Sequence, residues 1–153
     1  MRLILTTMII SIMLACTSSA KILDKQIVAE ANKILMTRNE NVRVKRFVTN
    51  FGKKTKRDAR LTRYFKAINL MLDTADYEKR KYKAIDVLYG KANCAGYAVM
   101  FSMLLDSIDI DNKIVCNDKH MWNEVKLNTK YRKIDLTALE HLNFRFNVER
   151  GGS

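Results

Sequence analysis

Cys94, His120 and Asp135 are the residues whose types and order point to chemistry. The chain carries three cysteines, Cys16, Cys94 and Cys116, and two histidines, His120 and His141. Cys94 follows Gly90-Lys91-Ala92-Asn93 and precedes Ala95-Gly96, a loop running into an apolar segment that reads as a helix. A cysteine in the first turn of a helix faces unpaired backbone N–H groups and partial positive charge, which favour the thiolate. Taken alone, Cys94 reads more readily as a small buried apolar residue, a common fate of free cysteine. His120 changes that balance, because an imidazole beside such a thiol can take its proton and hold it as an ion pair. His141 sits in a short polar connection after Ala138-Leu139-Glu140 and reads as a surface residue.

The third member follows from register. Asn128-Thr129 can form a two-residue turn joining the strand that begins with His120 to a strand over 131–136. Leu127 then pairs with Lys130, and Asp135 falls opposite Trp122. Side chains alternate along a strand, so Trp122 and His120 share a face, and Asp135 becomes the diagonal neighbour of His120. A carboxylate accepting from one ring nitrogen fixes the tautomer and leaves the other for the thiol. A three-residue loop would instead place the two groups on opposite faces.

The elements that must position these groups divide the chain in two. Residues 23–37 carry Ile27, Val28, Ala31, Ile34 and Leu35 at helical spacing. Residues 39–57 read as a solvated basic connection with Val42, Val44, Phe47, Val48 and Phe51 as anchors. Helices are expected from about 58 to 72 and from 75 to 89, the second stopped by Gly90. The helix over 94–107, capped by Asn93, buries Ala98, Phe101, Leu104, Leu105 and Ile108. Strands follow over 113–117, 119–127, 131–136 and 144–148. Helices first and strands after make an α+β fold, with the cysteine-bearing helix packed on a small antiparallel sheet.

Residues 1–20 are of another kind: a basic start at Arg2, an apolar run from Leu3 to Ala15, then Cys16-Thr17-Ser18-Ser19-Ala20. This is the pattern of an export signal. Ser18 and Ala20 suit ordinary cleavage before Lys21, whereas Met13-Leu14-Ala15-Cys16 suits a lipoprotein box with lipid on Cys16. Either way the domain is expected over 21–153 and outside the cytoplasm, periplasmic or secreted. Removing residues 1–20 takes away only Arg2, so the formal charge falls from +12 to +11. Such a basic exported domain should be drawn to anionic envelope surfaces through its N-terminal half, rather than to nucleic acid.

Cys94 and Cys116 are too few for a disulfide framework. They could form one bridge, which would remove the nucleophile, or Cys116 could be a core residue on its strand. A metal centre is not expected from Cys94, Cys116 and His120, because C-x3-H lacks the second close pair of a zinc site.

Three blocks together resemble the transglutaminase-like superfamily: Gly90-Lys91-Ala92-Asn93-Cys94-Ala95-Gly96-Tyr97-Ala98 with Leu104-Leu105, His120-Met121-Trp122-Asn123-Glu124-Val125, and Tyr131-Arg132-Lys133-Ile134-Asp135-Leu136-Thr137. The match is best over 84–137. The resemblance implies a papain-like core with Cys94 as nucleophile, His120 as base and Asp135 as its orienter. It also implies acyl-enzyme chemistry on a peptide or side-chain amide without a cofactor. Hydrolysis, as in a cysteine peptidase or deamidase, is the leading expectation; amine-accepting cross-linking and a silent basic binding module are the alternatives. The backbone N–H of Cys94 is the one oxyanion donor that can be named.

Overall fold

The computed structural model describes residues 19–148. The segment read as an export signal, Cys16 included, therefore lies outside the described residues, apart from Ser19 and Ala20, which are exposed. The described elements run β1 (Lys21–Leu23), α1 (Lys25–Leu35), α2 (Arg38–Lys54), α3 (Arg60–Thr74), β2 (Asp76–Tyr77), α4 (Ala84–Leu88), β3 (Lys91–Ala92), α5 (Cys94–Asp106), β4 (Asn112–Cys116), β5 (Met121–Lys126), β6 (Tyr131–Ile134) and α6 (Leu136–His141).

Helix α5 is the centre of the molecule. Ten of its thirteen residues are buried, including Tyr97, Phe101, Leu104 and Leu105. A helix apolar on all sides must be covered on all sides. The sheet β1-β4-β5-β6, antiparallel throughout, covers one flank. Helices α3, α4 and α6 cover others. Two buried amides bind helix to sheet. Asn123 Nδ2 on β5 donates to the carbonyl of Ala98 at 3.0 Å, and Asn112 on β4 accepts from Ser102 Oγ at 2.7 Å. The α+β architecture expected from the sequence is the one observed.

Four expectations require correction. Residues 39–57 are not a loop: α2 spans seventeen residues there. Thr37 and Glu40 form a reciprocal capping box, and Val44, Phe47, Val48 and Phe51 lie at i, i+3, i+4 and i+7 on the inward side. The lysines and arginines between them are good helix formers that simply face water. Residues 75–89 are not one helix. Asp76 N–H donates to Gly90 O at 3.0 Å and Glu78 N–H to Ala92 O at 2.9 Å, so the segment first makes a short parallel pair, and only 84–88 coil. Gly90, at φ +83°, turns the chain back between them.

Residues 144–148 form no strand. Asn69 bonds both the N–H and the carbonyl of Phe146, and the Phe146 ring stacks on Phe65 at 4.4 Å. The tail's backbone is thus satisfied by a side chain of α3 instead of by a sheet. Helix α1 forms where its spacing predicted. It turns Val28 and Asn32 inward, however, with Met36 buried just past its end, and leaves Ile27 and Ile34 exposed.

Candidate active site

Cys94 is the first residue of α5. Asn93 caps that helix: its Oδ1 accepts from Ala95 N–H at 2.9 Å and from Gly96 N–H at 3.1 Å. This arrangement holds the first turn and leaves the N–H of Cys94 uncapped. The Asn93 cap was legible in the sequence. The role of Gly96 was not. A Cβ there would stand 3.0 Å from Lys81 O and 3.2 Å from Lys83 O, so the close approach it permits is made by the chain's own backbone and not by a substrate.

His120 precedes β5 by one residue, in a turn that Asn117 builds. Asn117 Oδ1 accepts from His120 N–H at 2.8 Å and from Lys119 N–H at 3.0 Å, while Asn117 N–H donates to His120 O at 2.9 Å. This asparagine had been assigned to the end of a strand. Its signal was the turn-forming Asn-Asp pair ahead of His120.

The hairpin register is the expected one. Asn123 pairs with Ile134 and Lys126 with Tyr131, which brings Asp135 to the strand end beside His120. Asp135 Oδ2 lies 2.7 Å from His120 Nε2, and its Oδ1 accepts from Ala138 N–H at 3.2 Å as the cap of α6. Both carboxylate oxygens are therefore engaged, which fixes the plane in which the imidazole is held. The His120 side chain is 28% exposed and that of Asp135 17%, so the ring is open to an incoming group while the carboxylate stands behind it. Trp122 lies 6.1 Å from the His120 ring at 25°, and the Lys133 ammonium sits over the indole at 4.4 Å.

The helix of Cys94 packs against β5, and the thiol lies near enough to this pair for the charge on Asp135 to act on it. The backbone N–H groups of Met121, next in the chain to His120, of Ala95 and of Cys94 itself favour the thiolate at Cys94. Cys94 is a free thiol, so it forms no bridge to Cys116, which is buried on β4. Burial pushes the Cys94 thiol above the usual cysteine range, the backbone donors oppose this, and the charge on Asp135 adds to the rise. The helix N-terminus alone had been expected to favour the thiolate; desolvation outweighs it.

Asn123 is the other residue that sequence reasoning passed over. Its bond to Ala98 O holds the strand after His120 against the helix that begins at Cys94. A polar residue at an inward strand position, between Met121 and Val125, was the available sign. Among the described residues no group of three or more His, Cys, Asp or Glu side chains is disposed to hold a metal ion, and no helix is long and apolar enough to cross a membrane.

Compared with known families, the chain matches the model of the transglutaminase-like superfamily over residues 43–136. The match contains Cys94, His120 and Asp135 and starts well before the motif blocks, within α2. No curated protein matches the chain significantly.

Proposed function

This chain belongs to the transglutaminase-like superfamily, and from that membership we propose that it is an exported thiol hydrolase acting on peptide or side-chain amides. The 2.7 Å bond between His120 Nε2 and Asp135 Oδ2, one residue from the N–H at the Cys94 sulfur, is the observation that carries this reading. Asp135 keeps the proton on Nε2, so Nδ1 is the nitrogen left to accept the thiol proton. As Nδ1 takes it, Sγ bonds the amide carbon, and the uncapped N–H of Cys94 stabilises the oxygen that becomes negative. His120 then returns the proton to the leaving nitrogen as the C–N bond breaks. Water next attacks the thioester, giving its proton to His120, and the C–S bond breaks to release the acid and restore the thiol. An amine in place of water would give a cross-link by the same steps.

Export rests on the pattern of residues 1–20, with either Lys21 as the new terminus or lipid on Cys16. The anionic envelope surface proposed as a partner is favoured by the exposed cations of α2 and the turn after it, Arg43, Lys45, Arg46, Lys53, Lys54, Lys56 and Arg57. Mass spectrometry of protein purified from its host reads the processing site and any lipid directly.

Alkylation with iodoacetamide tests the chemistry. At neutral pH, wild type should label at Cys94 faster than free cysteine in solution, and Cys94→Ala should not label there. His120→Ala removes the base and leaves burial alone. Its labelling should rise only at alkaline pH, with a midpoint above that of free cysteine, because the buried thiol loses its proton later. Equal pH profiles for wild type and His120→Ala would overturn the assignment of His120.

A further inference from the structure

We infer that the basic loop over residues 78–83 makes this site selective for peptides with an acidic residue beside the reacting amide. The inference rests on the thiol-hydrolase reading and adds the substrate class to it. The loop joins β2 to α4 and reads Glu78-Lys79-Arg80-Lys81-Tyr82-Lys83, four cations against one carboxylate.

Its path is set by the residues around the nucleophile. Asn93 Nδ2 donates to Lys79 O at 3.0 Å, and Asn93 N–H donates to Lys81 O at 2.6 Å. On the other side of Cys94, Gly96 lets the carbonyls of Lys81 and Lys83 press against α5. The residue before the sulfur and the glycine two beyond it therefore clasp the same strip of backbone. A basic stretch that served solubility alone would need no such attachment.

Three of the four positive charges on that strip are unspent, Lys83 alone acting on Glu40. Lys79 and Arg80 are exposed, Lys81 is half-buried, and none of the three meets a carboxylate within the described residues. The neighbouring groups are committed elsewhere: Lys91 to Asp76, Asp135 to His120, and Asp86 to the N–H of Lys83. A substrate carboxylate would supply the missing counter-charge. Because the loop backbone is fastened at residues 93 and 96, its charges flank the turn that carries the sulfur, and their field reaches about a Debye length, ~8 Å at physiological ionic strength. This distance suits a peptide side chain near the amide under attack. A membrane surface would be met instead by the exposed cations of α2, on a different element.

Two alkylating agents separate this inference from the reading beneath it. Iodoacetamide is neutral and reports the nucleophilicity of Cys94; iodoacetate is an anion and reports in addition the field around it. The combined variant Lys79→Glu, Arg80→Glu, Lys81→Glu should lower the iodoacetate-to-iodoacetamide rate ratio about tenfold at low salt, and by less as salt is raised. The corresponding Gln variant, gentler on folding, should lower it about threefold. A ratio unchanged in both variants overturns the inference even where iodoacetamide labels Cys94 rapidly. Failure of iodoacetamide to label Cys94 faster than free cysteine overturns the thiol-hydrolase reading, whatever the ratio does.

Peptides differing only in Glu or Lys beside a glutamine or scissile amide then test the substrate class by mass spectrometry. Turnover by wild type should favour the Glu series by about tenfold, and the Glu variant should lose that preference. Equal turnover of the two series overturns it. So does loss of binding to phosphatidylserine vesicles in the loop variant with the peptide preference intact, since the loop would then serve a lipid surface.

Discussion

Helices α2 and α5 are packed one behind the other, and they are built on opposite terms. Helix α5 buries ten of thirteen residues and has no wet face. Helix α2 buries two of seventeen, Val44 and Phe51, and is stabilised by a capping box and a narrow stripe. They meet where Gly52 lies against the C-terminus of α5, a Cβ there coming within 2.9 Å of Ser107 O. The first helix presents Cys94 and is tied by Asn123 and Asn112 to the sheet that presents His120. The second supports the first from behind. The same kind of element can thus sit at the centre or serve as support, and the distribution of buried residues separates the two roles.

If that division is right, substitutions on the two sides should fail differently. The largest effect is expected from Asp135→Asn. Asparagine caps a helix as well as aspartate, so the cap on α6 survives and stability should change by less than about 0.5 kcal/mol. The imidazole, however, loses the charge that sets its tautomer, and amide turnover should fall roughly 10³- to 10⁴-fold. A steady-state assay alongside urea denaturation reads both quantities, and a parallel loss of the two would blur the distinction between the regions.

Gly52→Ala should be next. The intruding methyl meets backbone, which cannot swing aside, at an overpacking cost of about 1–3 kcal/mol, partly offset by the better helix propensity of alanine. A net loss of about 1–2 kcal/mol in the denaturation free energy is expected, with the Cys94 alkylation rate per folded molecule unchanged. Thr37→Ala, which breaks the capping box of α2, should cost about 1 kcal/mol by the same measurement and leave alkylation alone. A change in Cys94 reactivity in either variant would mean that the supporting helix also sets the geometry of the site.

The C-terminal half was far more legible than the N-terminal half, for reasons that particular residues make plain. Asn93 before a small residue and an apolar helix is a local cap signal, and the cap is there. Asn128-Thr129 between alternating strands sets one register, and Lys126 opposite Tyr131 agrees with it. In 39–57 the frequent cations read as a wet loop, although Val44, Phe47, Val48 and Phe51 carry the helical interval. In 75–89 a few apolar residues at helical spacing suggested a helix. The backbone instead found partners at Gly90 and Ala92, contacts between segments that no local pattern reports.

By itself, then, the sequence determined what depends on neighbours along the chain: the capped helix that begins at Cys94, the face shared by His120 and Trp122, and the diagonal placement of Asp135. Periodicity and capping act over a few residues, so they can be read there. Only the tertiary structure decided what depends on segments distant in the chain. It buried the Cys94 thiol enough to raise its pKa, laid the 78–83 loop against the residues that flank Cys94, and used Asn123 and Asn117 to hold His120 in place. Those outcomes arise from packing and desolvation, which are set by whatever comes to lie alongside.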